Sequence, residues 1–222
     1  MTPNPPGPAD FDRIAALCDR RWDCHYTRCK LRTDPVYAAV ADELAGTDLP
    51  VLDIGCGLGL LGHYLHASGL NLPVTGFDYD DRKIRAATAM AARAGRSGLR
   101  FRAGDARTGL PEFAGQVVIL DILQFFRREE QETLLAAAAA RVAPGGRLII
   151  RSGLRAPGWR YRVTVLADFF ARATLWMKAA PVCYPDADQF RRVLGAAGLE
   201  VTIRPLWGRT PFHNHLIVGR RP

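Results

Sequence analysis

The sequence predicts an α/β fold: a doubly wound, mainly parallel sheet of seven strands with helices on both faces and an antiparallel closing strand. Three observations carry this. From Pro50 to Arg151, short apolar runs alternate with amphipathic stretches of helical length, the pattern of repeated βαβ units. A glycine-rich turn, Gly55-Cys56-Gly57-Leu58-Gly59, joins the first apolar run to a helix. Beyond the fifth run, the segments LEVTIRPLW and FHNHLIVGRR read as an antiparallel pair at the sheet edge.

The first eight residues, MTPNPPGP, hold four prolines and a glycine and predict a disordered tail, because proline neither propagates a helix nor donates to a sheet ladder. Residues 9–222 are expected to form one domain, with N-terminal helices over 9–46, a core over 50–151, and a cap with closing strands over 152–222. Ala9 to Arg21 reads as helical, and Asp34-Pro35 opens a second helix through Val36, Ala39, Val40 and Leu44, with an N-cap followed by an N1 proline. The strand runs are VLDI, PVTGFD, LRFRAG, QVVILD and GRLIIR. Between them lie helical stretches over Leu58 to Ser68, Asp80 to Ala94 and Arg128 to Val142, the last stopped by Pro144-Gly145-Gly146. A helix from Tyr161 to Met177 and another from Asp186 to Gly195 complete the expectation. Right-handed crossovers place a ligand crevice at the carboxyl ends of the strands.

The 222 residues are 48% hydrophobic, enough for a substantial core, and charge interrupts every apolar stretch before it reaches membrane length. The start carries no basic, apolar signal, so a soluble cytoplasmic protein is expected. A net charge of +8 favours acidic partners, although an Arg-rich, Lys-poor composition of this kind also arises from genomic base content. Five cysteines, without a Cys-x-x-Cys pair, exclude a disulfide framework. Cys18, Cys24 and Cys29 lie near His25, but their spacings of six and five suit neither one helical face nor a zinc knuckle, and no metal is expected.

The chemistry-bearing residues sit where the strands end. Asp53 falls in the final turn of the first strand, and the glycines after it allow close backbone approach to a ligand at a helix N-terminus. Gly57, Gly59 and Gly62 also satisfy the G-x-G-x-x-G dinucleotide pattern, so an NAD or FAD site competes. The sign of charge separates the two, since an anionic Asp53 opposes a pyrophosphate and suits a ligand carrying an ammonium and a sulfonium. Asp78, which ends the second strand before Tyr79, can accept bonds from both ribose hydroxyls of either cofactor. In Gly104-Asp105-Ala106 a carboxylate can accept an adenine amino group, a device dinucleotide folds lack as a rule. The fourth strand ends in Leu120-Asp121-Ile122-Leu123-Gln124-Phe125.

As a set, in order and spacing, these residues resemble the class I S-adenosylmethionine (SAM) dependent methyltransferases over Pro50 to about Arg151. The resemblance implies SAM as cofactor, with Asp53, Gly55, Cys56, Gly57 and Gly59 shaping the methionine pocket. It further implies Asp78 and Tyr79 at the ribose, Asp105 and Ala106 at the adenine, and Asp121 and Gln124 beneath the sulfonium and substrate. The implied mechanism is in-line displacement at the methyl carbon, in which the enzyme mainly aligns the reactants and excludes water. The segments HYTRCKLRTDPVY, LDIGCGLGLLGHYL, ILDILQFF, Gly158-Trp159-Arg160 and PLWGRTPFHNHLI are also similar to the methyltransferases encoded in aryl polyene and xanthomonadin-type pigment clusters. That similarity implies a phenolic head group, or its acyl carrier protein thioester, as acceptor. An acidic carrier protein would complement the +8 charge.

The acceptor side is drawn more loosely. The fourth strand lacks the Pro-Pro-Tyr pattern that DNA amino methyltransferases resemble, so no nucleic acid is expected. Asp121 leaves a magnesium-bound catechol weakly open. In the aromatic and basic stretch Trp22 to Arg32, Tyr26 with Lys30 or Arg32 is expected to close the site, Lys30 on the methionine carboxylate; the plainer alternative is a solvated helix with Trp22 in the core. Trp159, Tyr161, Phe169, Trp176, Met177 and Tyr184 are expected to wall an apolar pocket, with Trp22, Tyr26, Trp159 and Tyr184 as substrate candidates. His213 and His215 share a strand face, where one can serve as general base or both can be structural, and Tyr26 is a further catalytic candidate. Two other functions compete with methyl transfer to a small molecule: an NAD(P)-dependent oxidoreductase built on Gly57, Gly59 and Gly62, and a catalytically silent SAM-fold binding partner.

Overall fold

The computed structural model describes residues 3–155, 182–208 and 213–222. The predicted helix over Tyr161–Met177 lies outside them. The described elements, in chain order, are α1 (Pro8–Ala15), α2 (Arg21–Thr33), α3 (Val36–Glu43), β1 (Val51–Ile54), α4 (Leu60–Ala67), β2 (Val74–Asp78), α5 (Asp81–Arg93), β3 (Leu99–Ala103), β4 (Gln116–Leu120), α6 (Arg128–Ala139), β5 (Arg147–Gly153), α7 (Ala187–Ala196), β6 (Glu200–Pro205) and β7 (Asn214–Arg220). A short 3₁₀ turn spans Leu123–Phe125. The seven strands follow the order β3-β2-β1-β4-β5-β7-β6, mixed, with helices flanking. The fold divides into two compact units, Met1–Thr108 and Gly109–Pro222.

In the N-terminal unit, β1 pairs in parallel with β2 and β2 with β3, in a register that sets Asp53 opposite Gly76 and Asp78 opposite Ala103. Every residue of β1 is buried, as expected of a strand covered on both faces, and burying Val51, Leu52 and Ile54 contributes about 1.5–3 kcal/mol for each side chain. At the sheet's end β3 is largely exposed, with Arg100 and Arg102 facing solvent, which discourages further strand addition. Helix α5 packs on β2 and β3, and both α2 and α3 pack on α4.

Three helices precede the sheet where the sequence predicts two. The reading over Ala9 to Arg21 joins α1 to a turn, and α2 is the helix that the plainer reading of Trp22 to Arg32 offered, with a buried stripe, Asp23, Thr27 and Leu31, that is two-thirds polar. The proline-rich start is held in place as well: the Asn4 N–H donates to the Ser68 carbonyl at 3.1 Å, and the Gly7 N–H donates to Asp10 Oδ2 at 2.8 Å. Proline at the first position of α1 forfeits a donor that no helix would use there.

In the C-terminal unit, β4 runs parallel to β5, while β7 lies antiparallel between β5 and β6. The expected closing pair is therefore present. The buried amide of Gln131 braces the unit, its Nε2 donating to the carbonyls of Leu123, Phe126 and Cys183 at 3.0, 3.2 and 2.9 Å while its Oε1 accepts from Gln189 Nε2 at 3.1 Å. The Arg155 N–H donates to the Pro185 carbonyl at 2.9 Å, and its guanidinium pairs with Asp186 at 3.4 Å. Among the described residues, no helix is long and apolar enough to cross a membrane.

His63, on α4, is fully buried, and neither ring nitrogen finds a hydrogen-bond partner among the described residues. Burial, with repulsion from Arg96, pulls its pKa from 6.5 down to about 4. The folded state thus binds fewer protons than the unfolded chain between about pH 6.5 and 4, and stability falls as pH drops through that window. His63→Leu is expected to remove about 3 kcal/mol of pH dependence, checked by urea denaturation of both proteins at pH 7.5 and 4.5.

Candidate functional site

The glycine turn after β1 is held by the end of β2. The Gly55 N–H donates to the Phe77 carbonyl at 2.7 Å, and the Gly57 N–H donates to Asp78 Oδ2 at 2.9 Å. The other oxygen of Asp78 accepts from the Asp80 N–H at 2.8 Å, and Asp80 in turn caps α5 by accepting from the Arg82 N–H at 3.1 Å. One carboxylate therefore fixes both turns, and Asp80, which is buried, belongs to the arrangement although sequence reasoning passed it over. Its signal was available, as an aspartate directly before the DRKIRA helical run.

The glycines have two different reasons. Gly57, at φ +54°, has only Lys83 Cδ near the place a Cβ would take, at 4.0 Å, so its face of the turn is open. Gly59, at φ +71°, is instead filled by the ring of Phe101, which also lies where a Cβ on Gly76 would be, together with Cys56 Sγ at 2.7 Å. Gly62 leaves room for Leu99, at 2.8 Å from its virtual Cβ. Two of the three glycines that satisfy the dinucleotide pattern thus have a packing reason against β3.

Asp53 is 3% exposed and accepts no hydrogen bond among the described residues. Burial first, then the neighbouring Asp78 carboxylate, push its pKa from 3.8 up to about 7. The same two causes, burial and then the adjacent acids, raise the buried Cys56 thiol well above its ordinary 9, so it stays protonated and is no nucleophile. Asp53, Gly55, Cys56, Gly57 and Asp78 are brought together, with the Asp78 carboxylate close enough to raise the cost of ionising Asp53 and Lys83 as the nearby cation.

The remaining residues are placed as follows. Asp105 lies just beyond β3, its side chain 40% exposed, accepting from the Arg107 N–H at 2.9 Å with Ala106 beside it half-exposed. Tyr79 is exposed. Lys30 pairs with Asp34, the C-cap of its own helix, at 2.7 Å, while Arg28 and Arg32 pair with Asp12 of α1 at 2.7 and 3.0 Å and so clasp α2 to α1. Trp22 is 60% exposed, outside the core that the plainer reading gave it, with its ring 6.3 Å from His25. Tyr26 is half-buried.

In the C-terminal unit, Asp121 ends β4 in the left-handed region at φ 58° and pairs with the buried Arg151 of β5. Gln124 donates from Nε2 to the Asp121 carbonyl at 3.0 Å, and its own carbonyl accepts from the Val182 N–H at 2.7 Å. Arg151 was missed; its mark in the sequence is a charge directly after the apolar residues Leu148, Ile149 and Ile150. Tyr184 is buried. The rings of His213 and His215 lie 4.6 Å apart with Trp207 at 6.1 and 6.3 Å. Trp159, Tyr161, Phe169, Trp176 and Met177 lie outside the described residues. Among the described residues, no group of three or more His, Cys, Asp or Glu could hold a metal.

The fold and this turn define a class: the seven-stranded, Rossmann-like class I methyltransferase architecture. Within it, residues 51–146 match a family model described as a methyltransferase domain, a span running from β1 to the start of β5. Solved structures share the fold over nearly all of this chain. The magnesium protoporphyrin IX methyltransferase of Synechocystis PCC 6803, with bound S-adenosylhomocysteine (SAH), is similar at a TM-score of 0.67 and 18% identity, over 96% of this chain and 94% of that one. An O-methyltransferase family protein from Burkholderia thailandensis is similar at 0.67 and 19%, over 95% of this chain and 63% of its own. The mitomycin 7-O-methyltransferase MmcR is similar at 0.67 and 19%, over 96% and 60%. No curated protein matches the chain. A methyltransferase domain implies SAM as methyl donor, and the neighbouring carboxylates of Asp53 and Asp78 suit the donor's ammonium and sulfonium.

Gly59→Ala is expected to cost about 2–5 kcal/mol, combining left-handed backbone with a collision against Phe101, whereas Gly46→Ala, at φ +78° in open space, costs about 1–2 kcal/mol. Chemical denaturation of the two variants checks the difference.

Proposed function

We propose that the chain is a SAM-dependent methyltransferase that acts on a small aromatic acceptor, and that residues 9–222 work as one methyltransferase domain. The observation that carries this is Asp53, a buried carboxylate held at a pKa of about 7 by burial and by the neighbouring Asp78, beside an open Gly57. In this reading Asp53, Gly55, Cys56, Gly57 and Gly59 receive the methionine end of the donor, with Lys30 as a partner for its carboxylate. Asp78 and Tyr79 receive the ribose, Asp105 and Ala106 the adenine, and Asp121 and Gln124 border the acceptor. Asp78 spends one lone pair of each oxygen on Gly57 and Asp80, so two remain for ribose hydroxyls. Bound there, SAM supplies an electrophilic methyl group on a sulfonium. The protein's part is to align the acceptor atom with it, to exclude water, and to leave no nucleophile of its own in the way, as the protonated Cys56 thiol shows.

The named acceptors of structural neighbours, a magnesium porphyrin and mitomycin, support a small molecule. The sharper form of the proposal is a phenolic acid or its acyl carrier protein thioester in aryl polyene pigment biosynthesis. The +8 charge supports it as a match for an acidic carrier, with Trp22, Tyr26, Trp159 and Tyr184 contributing to the acceptor side. A cytoplasmic site of action belongs to the same proposal, supported by the odd number of cysteines.

Isothermal titration calorimetry with SAH, NAD and NADP tests the reading. Micromolar binding of SAH alone is expected; binding of NAD or NADP instead would overturn it. Asp53→Asn is expected to act in opposite senses on two measurements. Its folded-state pKa is raised, so the carboxylate costs stability progressively as pH rises from about 4 through 7, and the amide should stabilise the free protein at pH 8 by about 1–3 kcal/mol. The same change should weaken SAH by about tenfold or more, as loss of a charge-assisted contact does. Denaturation and calorimetry on one preparation read both.

A further inference from the structure

Arg82, Arg85, Ala86 and Met90 fall on one side of α5, at the spacing of helical neighbours, and that side and the turn between α1 and α2 enclose a cavity of about 200 Å³ within the N-terminal unit. The turn contributes Cys18, Asp19 and Arg20, and Leu58 of the glycine turn lines the cavity as well. Its apolar part is soft. Leu58 and Met90 are buried, and the Cys18 thiol donates to Met90 Sδ at 3.7 Å. Burial pushes the pKa of Cys18 up to about 11, so the thiol stays protonated and puts no anion there. Polarisable sulfur beside an apolar void favours an aromatic ring, and a dry void of about 150 Å³ is room enough for benzene.

The charged part of the wall carries an excess of cations. The guanidiniums of Arg20, Arg82 and Arg85 share it with the carboxylates of Asp19 and Asp23, and both carboxylates are already engaged. Asp23 is buried and accepts from Arg82 Nη1 at 3.2 and 3.5 Å, while Asp19 pairs with Arg93, which is not part of the lining. Nε and Nη2 of Arg82 make no hydrogen bond among the described residues, and the side chains of Arg20 and Arg85 have neither a hydrogen bond nor an ion pair there. Arg82 is also held in place, by Asp23 at its tip and by Asp80 at its backbone N–H, so little freedom is lost when it takes a ligand. Guanidinium N–H groups meet a planar carboxylate in parallel pairs.

We propose that this cavity binds a small aromatic carboxylate, with the carboxylate on Arg82 and Arg85 and the ring against Leu58, Ala86 and Met90. The inference goes beyond the methyltransferase reading and does not depend on it, since none of these residues has a part in holding donor or acceptor there. A bare anion satisfies the guanidiniums and leaves the apolar void unfilled. An uncharged ring fills the void and leaves the guanidiniums without a counter-charge. Only a ligand that carries both, with a body of about one ring, answers the whole wall.

The test uses the full chain labelled with ¹³C-methyl methionine, in which the Met90 methyl signal reports on this cavity, and sodium benzoate as the probe. Benzoate should shift Met90 saturably, with a dissociation constant of about 1 mM or tighter, the range open to a ligand of this size. Benzyl alcohol, a ring without the charge, and inorganic phosphate, a charge without the ring, should each bind at least about tenfold more weakly. Arg85→Gln should weaken benzoate about tenfold, and Ala86→Leu, which fills the void, should abolish the benzoate-dependent shift of Met90. A Met90 signal that benzoate leaves unmoved, equal binding of benzyl alcohol or phosphate, or parent affinity in either variant would overturn the proposal. Should Ala86→Leu not fold, Arg85→Gln decides alone, because that side chain is exposed and its loss takes no partner from the fold.

Discussion

Two backbone N–H groups, those of Gly57 and Asp80, converge on the carboxylate of Asp78, and the N-terminal unit is organised around that convergence. The bond to Gly57 pins the turn leaving β1, and the bond to Asp80 pins the turn leaving β2, whose own carboxylate then starts α5. Because each bond is charge-assisted and largely shielded from water, each is stronger than an ordinary turn contact. Two loops that would otherwise move separately are set by one side chain. The Cβ places of left-handed Gly59 and of helical Gly62 are filled from behind, by Phe101 and Leu99, so the turn is clamped on one side and open on the other.

That clamping explains why Asp53 can stay buried without a partner. The strand that carries it is covered on both faces and paired with β2 over its whole length, so the carboxylate cannot swing out to water. Its desolvation is a cost borne by the fold and recovered only by a positively charged guest. Natural proteins keep such groups where function needs them, and the energetic signature is a raised carboxylate pKa beside a like charge. A second site of the same kind is absent from the C-terminal unit as far as it is described, since Asp121 there is matched by Arg151.

The strands and core helices were legible in the sequence because their hydrophobic pattern is regular: VLDI, QVVILD and GRLIIR are continuous apolar runs, and β6 alternates. Helix α2 was legible only as the plainer of two readings, because the residues on its buried stripe are Asp23, Thr27 and Leu31, and a polar residue buried by a distant arginine, Arg82, has no local signature. The acids at the strand ends could be found from position alone. What they bond to could not, since Asp78 with Gly57 and Asp121 with Arg151 are partners 21 and 30 residues apart. The basic residues of α2 were read as groups free to close over a ligand, yet in the structure Arg28 and Arg32 serve Asp12. Composition reports how many charges there are, and only the fold reports which are spoken for.

The bond between the Arg155 N–H and the Pro185 carbonyl has a bearing on how such a chain can change over time. With the Arg155–Asp186 pair, that bond ties the end of the segment that follows β5 to the start of the segment that leads into α7. For any flexible chain closed between two such anchors, doubling its length costs only about 0.6 kcal/mol in closure entropy. Insertions between these anchors would therefore put little strain on β5 or α7, and a lineage can lengthen its sequence here while the strands that flank the junction stay as they are.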